Sequence, residues 1–237
     1  MQLFYNAEIQ NTSNNFVFDK EESKHIIKVL RKQENDILMV TNGSGFLFKT
    51  IITVASESKC NVAIESFEQV IPPTFGLHLA VAPTKMNERF EWFLEKATEI
   101  GIQQITPLIC QNSERKLIKI DRFQKIIESA MKQSLQYFKP ILNEPLSFAE
   151  FIKKDNNTAK FIGYCGLDFE KLNFKKVLPL GQDITFLIGP EGDFTTNEVQ
   201  MAMRQNYKAV ALGATRLRTE TAALVACHSF VFANENI

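Results

Sequence analysis

The stretch Ile184-Thr185-Phe186-Leu187-Ile188-Gly189-Pro190-Glu191-Gly192-Asp193-Phe194-Thr195 reads as a short apolar strand that breaks into a glycine-bearing loop. Its five apolar or β-branched residues, stopped by Gly and Pro, form a buried strand. Thr195, with Glu198 three residues on, gives the capping-box pattern of a helix start, and that helix runs to about Asn206. The arrangement then repeats. Ala209 to Gly213 is a second short strand, and Ala214-Thr215-Arg216-Leu217-Arg218-Thr219-Glu220-Thr221 leads from it into a closing apolar helix. Paired strand-to-helix joints belong to an α/β sheet, which carries its chemistry outside the carboxyl ends of the strands.

Working outward, Leu77 to Ala82, Ile105 to Cys110, Phe161 to Cys165, Ile184 to Ile188 and Ala209 to Leu212 are short apolar strands, mostly separated by helical stretches. This alternation predicts a mainly parallel sheet covered on both faces. The helix from Asn87 to Ile100 places Phe90, Phe93, Leu94 and Ala97 on one face and ends at Gly101; Glu91, Glu95 and Glu99 lie opposite. A further helix is expected from Ile120 to Phe138, stopped by Pro140. Asp155-Asn156-Asn157-Thr158 is a loop.

The chain before Val70 has a different rhythm. Apolar runs at Phe16 to Phe18, Ile37 to Val40, Phe46 to Val54 and Val62 to Phe67 read as strands, with a hairpin turn at Asn42-Gly43-Ser44-Gly45. One helix, Lys20 to Lys32, interrupts them, with Ile26, Val29 and Leu30 on its inner face and Lys24, Lys28 and Arg31 or Lys32 outside. A small, partly closed β barrel is expected. The segment Ile71-Pro72-Pro73-Thr74-Phe75-Gly76 stops the hairpin pattern, so domains are placed at residues 1–71 and 74–237.

With 45% hydrophobic residues over 237 positions the chain can bury a sizeable core. No apolar run approaches a membrane span and no signal-peptide pattern opens the sequence, so a soluble, cytoplasmic protein without a membrane partner is expected. Cys60, Cys110, Cys165 and Cys227 are widely spaced, which predicts buried reduced thiols and no metal site. The 27 basic and 27 acidic residues balance, so any grip on nucleic acid must come from local clusters. Lys20, Lys24, Lys28, Arg31 and Lys32 form one; Arg115, Lys116, Lys119, Arg122, Lys125 and Lys132 form another.

Three stretches together, Glu95-Lys96-Ala97-Thr98-Glu99-Ile100-Gly101, Ile188 to Thr195 and Leu212 to Ala223, resemble the SPOUT class of S-adenosylmethionine-dependent RNA methyltransferases. Within that class the chain is most similar to the RsmE family, which methylates N3 of a uridine in 16S ribosomal RNA. His25 to Arg31 also fits that family's His-x-x-x-Val-Leu-Arg pattern. The resemblance implies a PUA-like β barrel followed by a SPOUT domain with a carboxy-terminal trefoil knot, and a homodimer acting on 16S rRNA in the small ribosomal subunit. It implies S-adenosyl-L-methionine as cofactor, held by Leu187, Ile188, Gly189, Glu191, Gly192, Leu212, Gly213, Leu217, Arg218 and Thr219. It also implies that Lys96 and Glu99 hold their helix against the sheet. One departure is Gln136, which stands where the family often has arginine.

Arg216 and Arg218 flank one apolar residue, so in an extended loop they point the same way while Leu217 packs. Surface ion pairs would explain them structurally. Functionally, they would stabilise the negative charge that spreads over a uridine base as its N3 proton leaves. Glu191 or Glu220 would accept that proton, with Glu191 preferred because Glu220 falls in the first turn of the closing helix. Thr219 or Thr221 is expected to cap that helix. Lys24, His25, Lys28 and Arg31 are the expected phosphate contacts. Two alternatives stand: a ribosome-assembly factor with an idle pocket, and a SPOUT methyltransferase acting on a different RNA. The lack of phosphate-loop, dinucleotide-loop and nucleophile-elbow motifs argues against phosphotransferase, dehydrogenase and serine hydrolase chemistry.

Overall fold

The computed structural model describes residues 2–154 and 158–235. Of the loop expected at Asp155 to Thr158, all but Thr158 lies outside the described residues. The chain divides into two compact units: Met1–Pro72 with Met131–Lys139, and Pro73–Ala130 with Pro140–Ile237.

The first unit is built on a five-stranded sheet in the order β1-β3-β4-β5-β2. Its strands are β1 (Leu3–Tyr5), β2 (Asn15–Val17), β3 (Ile37–Thr41), β4 (Phe46–Val54) and β5 (Asn61–Gln69). β1 runs parallel to β3 and the other pairings are antiparallel. The β3–β4 turn has Gly43 and Gly45 at φ values of 72° and 89°, conformations that side chains disfavour. Phe4, Ile26, Leu38, Val40, Phe48, Ile52 and Val62 form the core.

The expected helix begins as α1 (Lys20–Lys24), capped by Asp19, which accepts from the Glu22 amide at 2.8 Å. It then widens into a π-helical turn, His25–Val29, where the Leu30 amide bonds back to the His25 carbonyl. The wider turn rotates Val29 off the inner face, so Val29 is 65% exposed although the 3.6-residue pattern placed it inside.

The second unit carries a sheet in the order β11-β13-β10-β12-β6-β7-β8, with β9 paired to β7. In chain order the elements are β6 (Leu77–Val81), α2 (Asn87–Ile100), β7 (Gln104–Ile109), α3 (Ile120–Gln133), β8 (Ile141–Leu142), β9 (Leu146–Ser147) and α4 (Phe148–Phe151). They continue as β10 (Ala159–Gly163), β11 (Leu172–Asn173), α5 (Phe174–Val177), β12 (Ile184–Ile188), α6 (Thr196–Arg204), β13 (Lys208–Ala211) and α7 (Thr219–Asn234). Every pairing among the described strands of this unit is parallel.

Strand alternation divides the core into two layers. Leu77, Leu79 and Val81 of β6 and Ile184, Phe186 and Ile188 of β12 face α2 and α7; Ala80 and Leu187 face the layer of α4 and α6. Both faces are therefore covered, as a parallel sheet requires. Gly101 ends α2 at φ 106°, and Thr195 and Glu198 form the reciprocal capping box of α6.

Three details depart from the pattern reading. α3 stops at Gln133 rather than Phe138, because Leu135 turns left-handed at φ 58° and the chain then pairs with the first unit. There the Gly45 amide donates to the Tyr137 carbonyl at 2.8 Å and the Lys139 amide to the Gly43 carbonyl at 2.9 Å. This stretch, expected in the second domain, thus belongs to the first unit. Lys96 bonds Glu95 at 2.7 Å and Glu99 at 2.9 Å, bridging residues of its own helix. Cys60, Cys110 and Cys227 are buried, but Cys165 is exposed. Burial pushes the thiols of Cys60 and Cys227 up to about 11 and about 12, which keeps them protonated and unreactive.

Candidate active site

β10, β12 and β13 end together, and the loops that leave them enclose a cavity of about 700 Å³ within the second unit. This is within the usual range for small-molecule sites. Gly163 to Gly166 contribute one wall, Ile188 to Glu191 a second, and Leu212 to Thr219 a third, with Asp193, Phe194, Lys171 and Ala222 completing it.

The two glycine-bearing loops are tied to each other. Thr219 is 5% exposed and its Oγ1 donates to the Gly189 carbonyl at 3.0 Å. Neither Thr219 nor Thr221 caps α7: Arg218 is the N-cap residue and makes no side-chain capping bond. Thr219 is spent on the loop-to-loop bond instead. A Cβ on Gly189 would lie 3.0 Å from the Phe194 ring, so glycine permits this tight return. A Cβ on Gly213 would meet no protein atom within 4 Å, so this backbone borders open space.

Arg216 and Arg218 are exposed on the wall while Leu217 is half-buried, the alternation expected of an extended loop. Neither guanidinium makes a hydrogen bond or ion pair among the described residues, so surface ion pairing does not account for them. Glu191 also stands on the wall, with Oε1 accepting from the Lys85 amide at 2.9 Å.

The remaining candidates distribute unevenly. Ile188, Gly189, Leu212, Gly213 and Leu217 line the cavity together with the residues above. Leu187 does not, because strand alternation turns it into the opposite core layer. Gly192 faces away, its carbonyl accepting from Asn112 Nδ2 at 3.2 Å. Glu220 is likewise absent from the wall. Its buried carboxylate lies 3.9 Å from Arg89 Nε, and its Oε2 has no hydrogen-bond partner.

In the first unit Lys24, Lys28 and Arg31 are exposed. His25 instead turns back, with Nδ1 2.9 Å from Glu22 Oε1 and its ring 6.4 Å from that of Phe4. Glu22 also holds Lys132 at 2.9 Å. The Nδ1–Glu22 pair orients the ring, whose side chain remains 42% exposed.

Tyr164, Cys165, Lys171 and Asp193 also line the cavity, although residue type and spacing give them no site role. Asp193 has φ 63°; its Oδ1 accepts from the Phe194 amide at 2.8 Å and its Oδ2 from the Cys165 amide at 3.0 Å, joining two walls. Gly163 and Gly166 around Tyr164-Cys165 were the available signal, since this strand also ends on the carboxyl side of the sheet. Among the described residues no group of His, Cys, Asp or Glu is placed to hold a metal.

The β-rich unit and the parallel α/β unit with a looped cavity at its carboxyl edge each match a model of the RNA methyltransferases. The RNA methyltransferase domain model matches residues 72–231 and the RNA methyltransferase PUA domain model matches residues 18–65. The Ribosomal RNA small subunit methyltransferase E of Buchnera aphidicola (subsp. Acyrthosiphon pisum) is 30% identical over 90% of this chain and 86% of its own length. A crystal structure of a probable rRNA methyltransferase from Porphyromonas gingivalis superposes with a TM-score of 0.89 at 36% identity, covering 98% of this chain and 99% of that one. The structure of a Legionella pneumophila methyltransferase in complex with the cofactor SAM gives a TM-score of 0.87 at 26% identity, with 98% of this chain and 97% of that one covered.

The chain belongs to the RNA methyltransferase family, in the group of the small-subunit ribosomal RNA methyltransferases E.

Proposed function

We propose that this protein transfers a methyl group from S-adenosyl-L-methionine to N3 of a uridine in 16S ribosomal RNA, with the small ribosomal subunit as its substrate. The observation that carries the reading is the pair of guanidiniums, Arg216 and Arg218, which have no partner among the described residues and stand on the wall of a cavity whose loops are tied by the Thr219–Gly189 bond.

The cavity suits the cofactor. Its volume of about 700 Å³ accommodates a nucleoside-sized molecule, and Gly189 and Gly213 leave backbone groups approachable at the wall. Ile188, Leu212 and Leu217 offer apolar contact, while Gly189 to Glu191 and Leu212 to Thr219 would hold the polar parts. When bound, S-adenosylmethionine supplies an electrophilic methyl group on a sulfonium and needs no metal.

The protein's own contribution is positioning and charge. The loops orient a nucleophile in line with the methyl and exclude water. As the uridine N3 proton leaves, charge spreads to the flanking carbonyl oxygens, and Arg218, with Arg216 beside it, stabilises that charge as it forms. Glu191 accepts the proton, directly or through water. Glu220, turned toward Arg89, takes no part. The base must be flipped or single-stranded to enter. Lys24, Lys28 and Arg31 contact phosphate from the first unit.

The reading includes a trefoil knot in the carboxy-terminal segment. It is supported by β13 lying between β10 and β11 and by the return of α7 onto α2. It also includes a homodimer. Leu224, Val225 and His228 of α7 are half-buried or exposed, with Phe232 69% exposed along the same helix, a face suited to a second copy. No described helix is long and apolar enough to cross a membrane, and we place the protein in the cytoplasm with its ribosomal substrate.

The test is transfer of labelled methyl to unmethylated small subunits, naked 16S RNA and bulk tRNA in parallel, followed by nucleoside analysis. Label in N3-methyluridine from the subunit is the expected result. Label in tRNA or in another nucleoside overturns the target, and cofactor binding with no transfer overturns the activity.

A further inference from the structure

We propose that a basic groove formed by Lys85, Arg115, Lys116, Lys119 and Arg122 binds the phosphodiester backbone of the substrate RNA beside the cofactor cavity. The inference rests on the reading of this chain as an RNA methyltransferase.

The groove lies within the second unit and has a volume of about 910 Å³. Its wall carries five cationic side chains and a single carboxylate, Glu114, on a chain whose basic and acidic residues balance at 27 each. Concentrating cations in a concave surface focuses a positive potential that draws a polyanion.

Internal pairing removes part of this charge but not all of it. Lys85 is 2.8 Å from Glu114, and Arg122 is 2.7 Å from Glu91. Arg115 donates to Asn87 Oδ1, a neutral acceptor that fixes the guanidinium without cancelling its charge. Lys116 and Lys119 are exposed, and their ammonium groups make no hydrogen bond or ion pair among the described residues. Between them Leu117 is 90% exposed, an apolar surface that a sugar or base face would cover.

The position of the groove gives the charge a purpose. The Lys85 amide at its rim donates to Glu191 Oε1 at 2.9 Å, and Glu191 is on the cavity wall. Asn112, just before the basic loop, donates to the carbonyls of Gly192 and Asp193 at 3.2 and 3.1 Å. The basic loop and the cavity loop are thus pinned together. RNA backbone held along the first would bring a neighbouring nucleotide to the mouth of the second.

The experiment compares the full-length protein with Lys116→Ala/Lys119→Ala and Lys116→Glu/Lys119→Glu variants. Filter binding to unmethylated small subunits across a salt series is measured alongside S-adenosylmethionine affinity and steady-state methyl transfer. The alanine pair should lower the slope of log K against log salt by about 1.4, roughly 0.7 for each lost contact to a single strand. The glutamate pair should weaken RNA binding by about tenfold or more and raise KM for RNA while kcat and cofactor affinity hold. Unchanged RNA affinity and slope in both variants, with the wild type binding normally, overturns the groove and leaves the methyltransferase reading standing. A wild-type protein that binds S-adenosylmethionine but no RNA overturns that reading and the groove with it.

Discussion

Thr219 Oγ1 donates a 3.0 Å hydrogen bond to the Gly189 carbonyl, tying the first residue of the closing helix to the loop that follows β12. The bond fixes the distance between two of the three cavity walls. Its loss should therefore be read in ligand affinity as well as in stability. Thr219→Val keeps the shape but removes the donor, leaving a buried carbonyl unsatisfied, and should destabilise the protein by about 1–3 kcal/mol. Calorimetric titration should show weaker S-adenosylmethionine binding in this variant and recovery in Thr219→Ser. Wild-type affinity in Thr219→Val would separate the bond from the cavity's function.

Arg218 offers the opposite combination. Its exposed guanidinium makes no hydrogen bond or ion pair among the described residues, and its carbonyl, which accepts from the Ala222 amide at 2.8 Å, is kept in an alanine, so loss of the side chain takes nothing from the fold. Arg218→Ala should leave Tm and cofactor affinity nearly unchanged while lowering kcat by about 10²-fold, the usual effect of deleting one transition-state donor. A rate within about tenfold of wild type, with cofactor binding intact, would remove Arg218 from the chemistry.

Glu191 and Glu220, the two carboxylates near the loop, carry separate predictions. Glu191 is on the cavity wall and Glu220 is not; the latter is buried near Arg89 with Oε2 unpartnered. Glu191→Gln should lower kcat by about 10²-fold or more, with the loss partly offset at high pH as free uridine N3 deprotonates. Glu220→Gln should retain activity within a few-fold, which pH–rate profiles of the two variants would show side by side.

Much of this arrangement was legible from local pattern. The bounds of α2 and β12 follow from helical spacing and from the Gly-Pro stop, and the Thr195–Glu198 cap from residue type alone. The misplaced features all depend on tertiary context. Val29 is outside because a π turn, which no residue at Lys20 to Lys32 announces, rotates the helix. α3 ends early because pairing of Tyr137 and Lys139 with the Gly43–Gly45 turn competes with helix continuation. Position alone offers Thr219 or Thr221 as a cap and Glu220 as the weaker of two proton acceptors. Which way each side chain turns was decided by Gly189 and Arg89, 30 and 131 residues away in sequence. Cys165 reaches the site from the end of β10, a strand whose apolar pattern announces only core, and Asp193 of the Gly189–Thr195 loop meets it there by accepting from its amide.

His78 supplies a pH dependence that is separate from catalysis. Its Nε2 is 2.7 Å from Thr106 Oγ1, and Asn143 donates to the same hydroxyl at 2.7 Å. Burial, reinforced by Lys154, pushes the imidazole down from the usual 6.5 to about 4. Between those values the unfolded chain binds a proton that the folded protein refuses. The contribution of this site to stability is therefore complete above about pH 6.5 and declines as pH falls toward 4. From about pH 7 to pH 5 the loss amounts to roughly 2 kcal/mol, equivalent to about 4–8 °C in Tm for a domain of this size. His78→Gln keeps a polar side chain beside Thr106 but cannot titrate. Thermal melts across this range should show a flatter Tm profile for the variant, even if its Tm at neutral pH is lower. Parallel profiles would mean that His78 is protonated in the folded state and that burial does not control it.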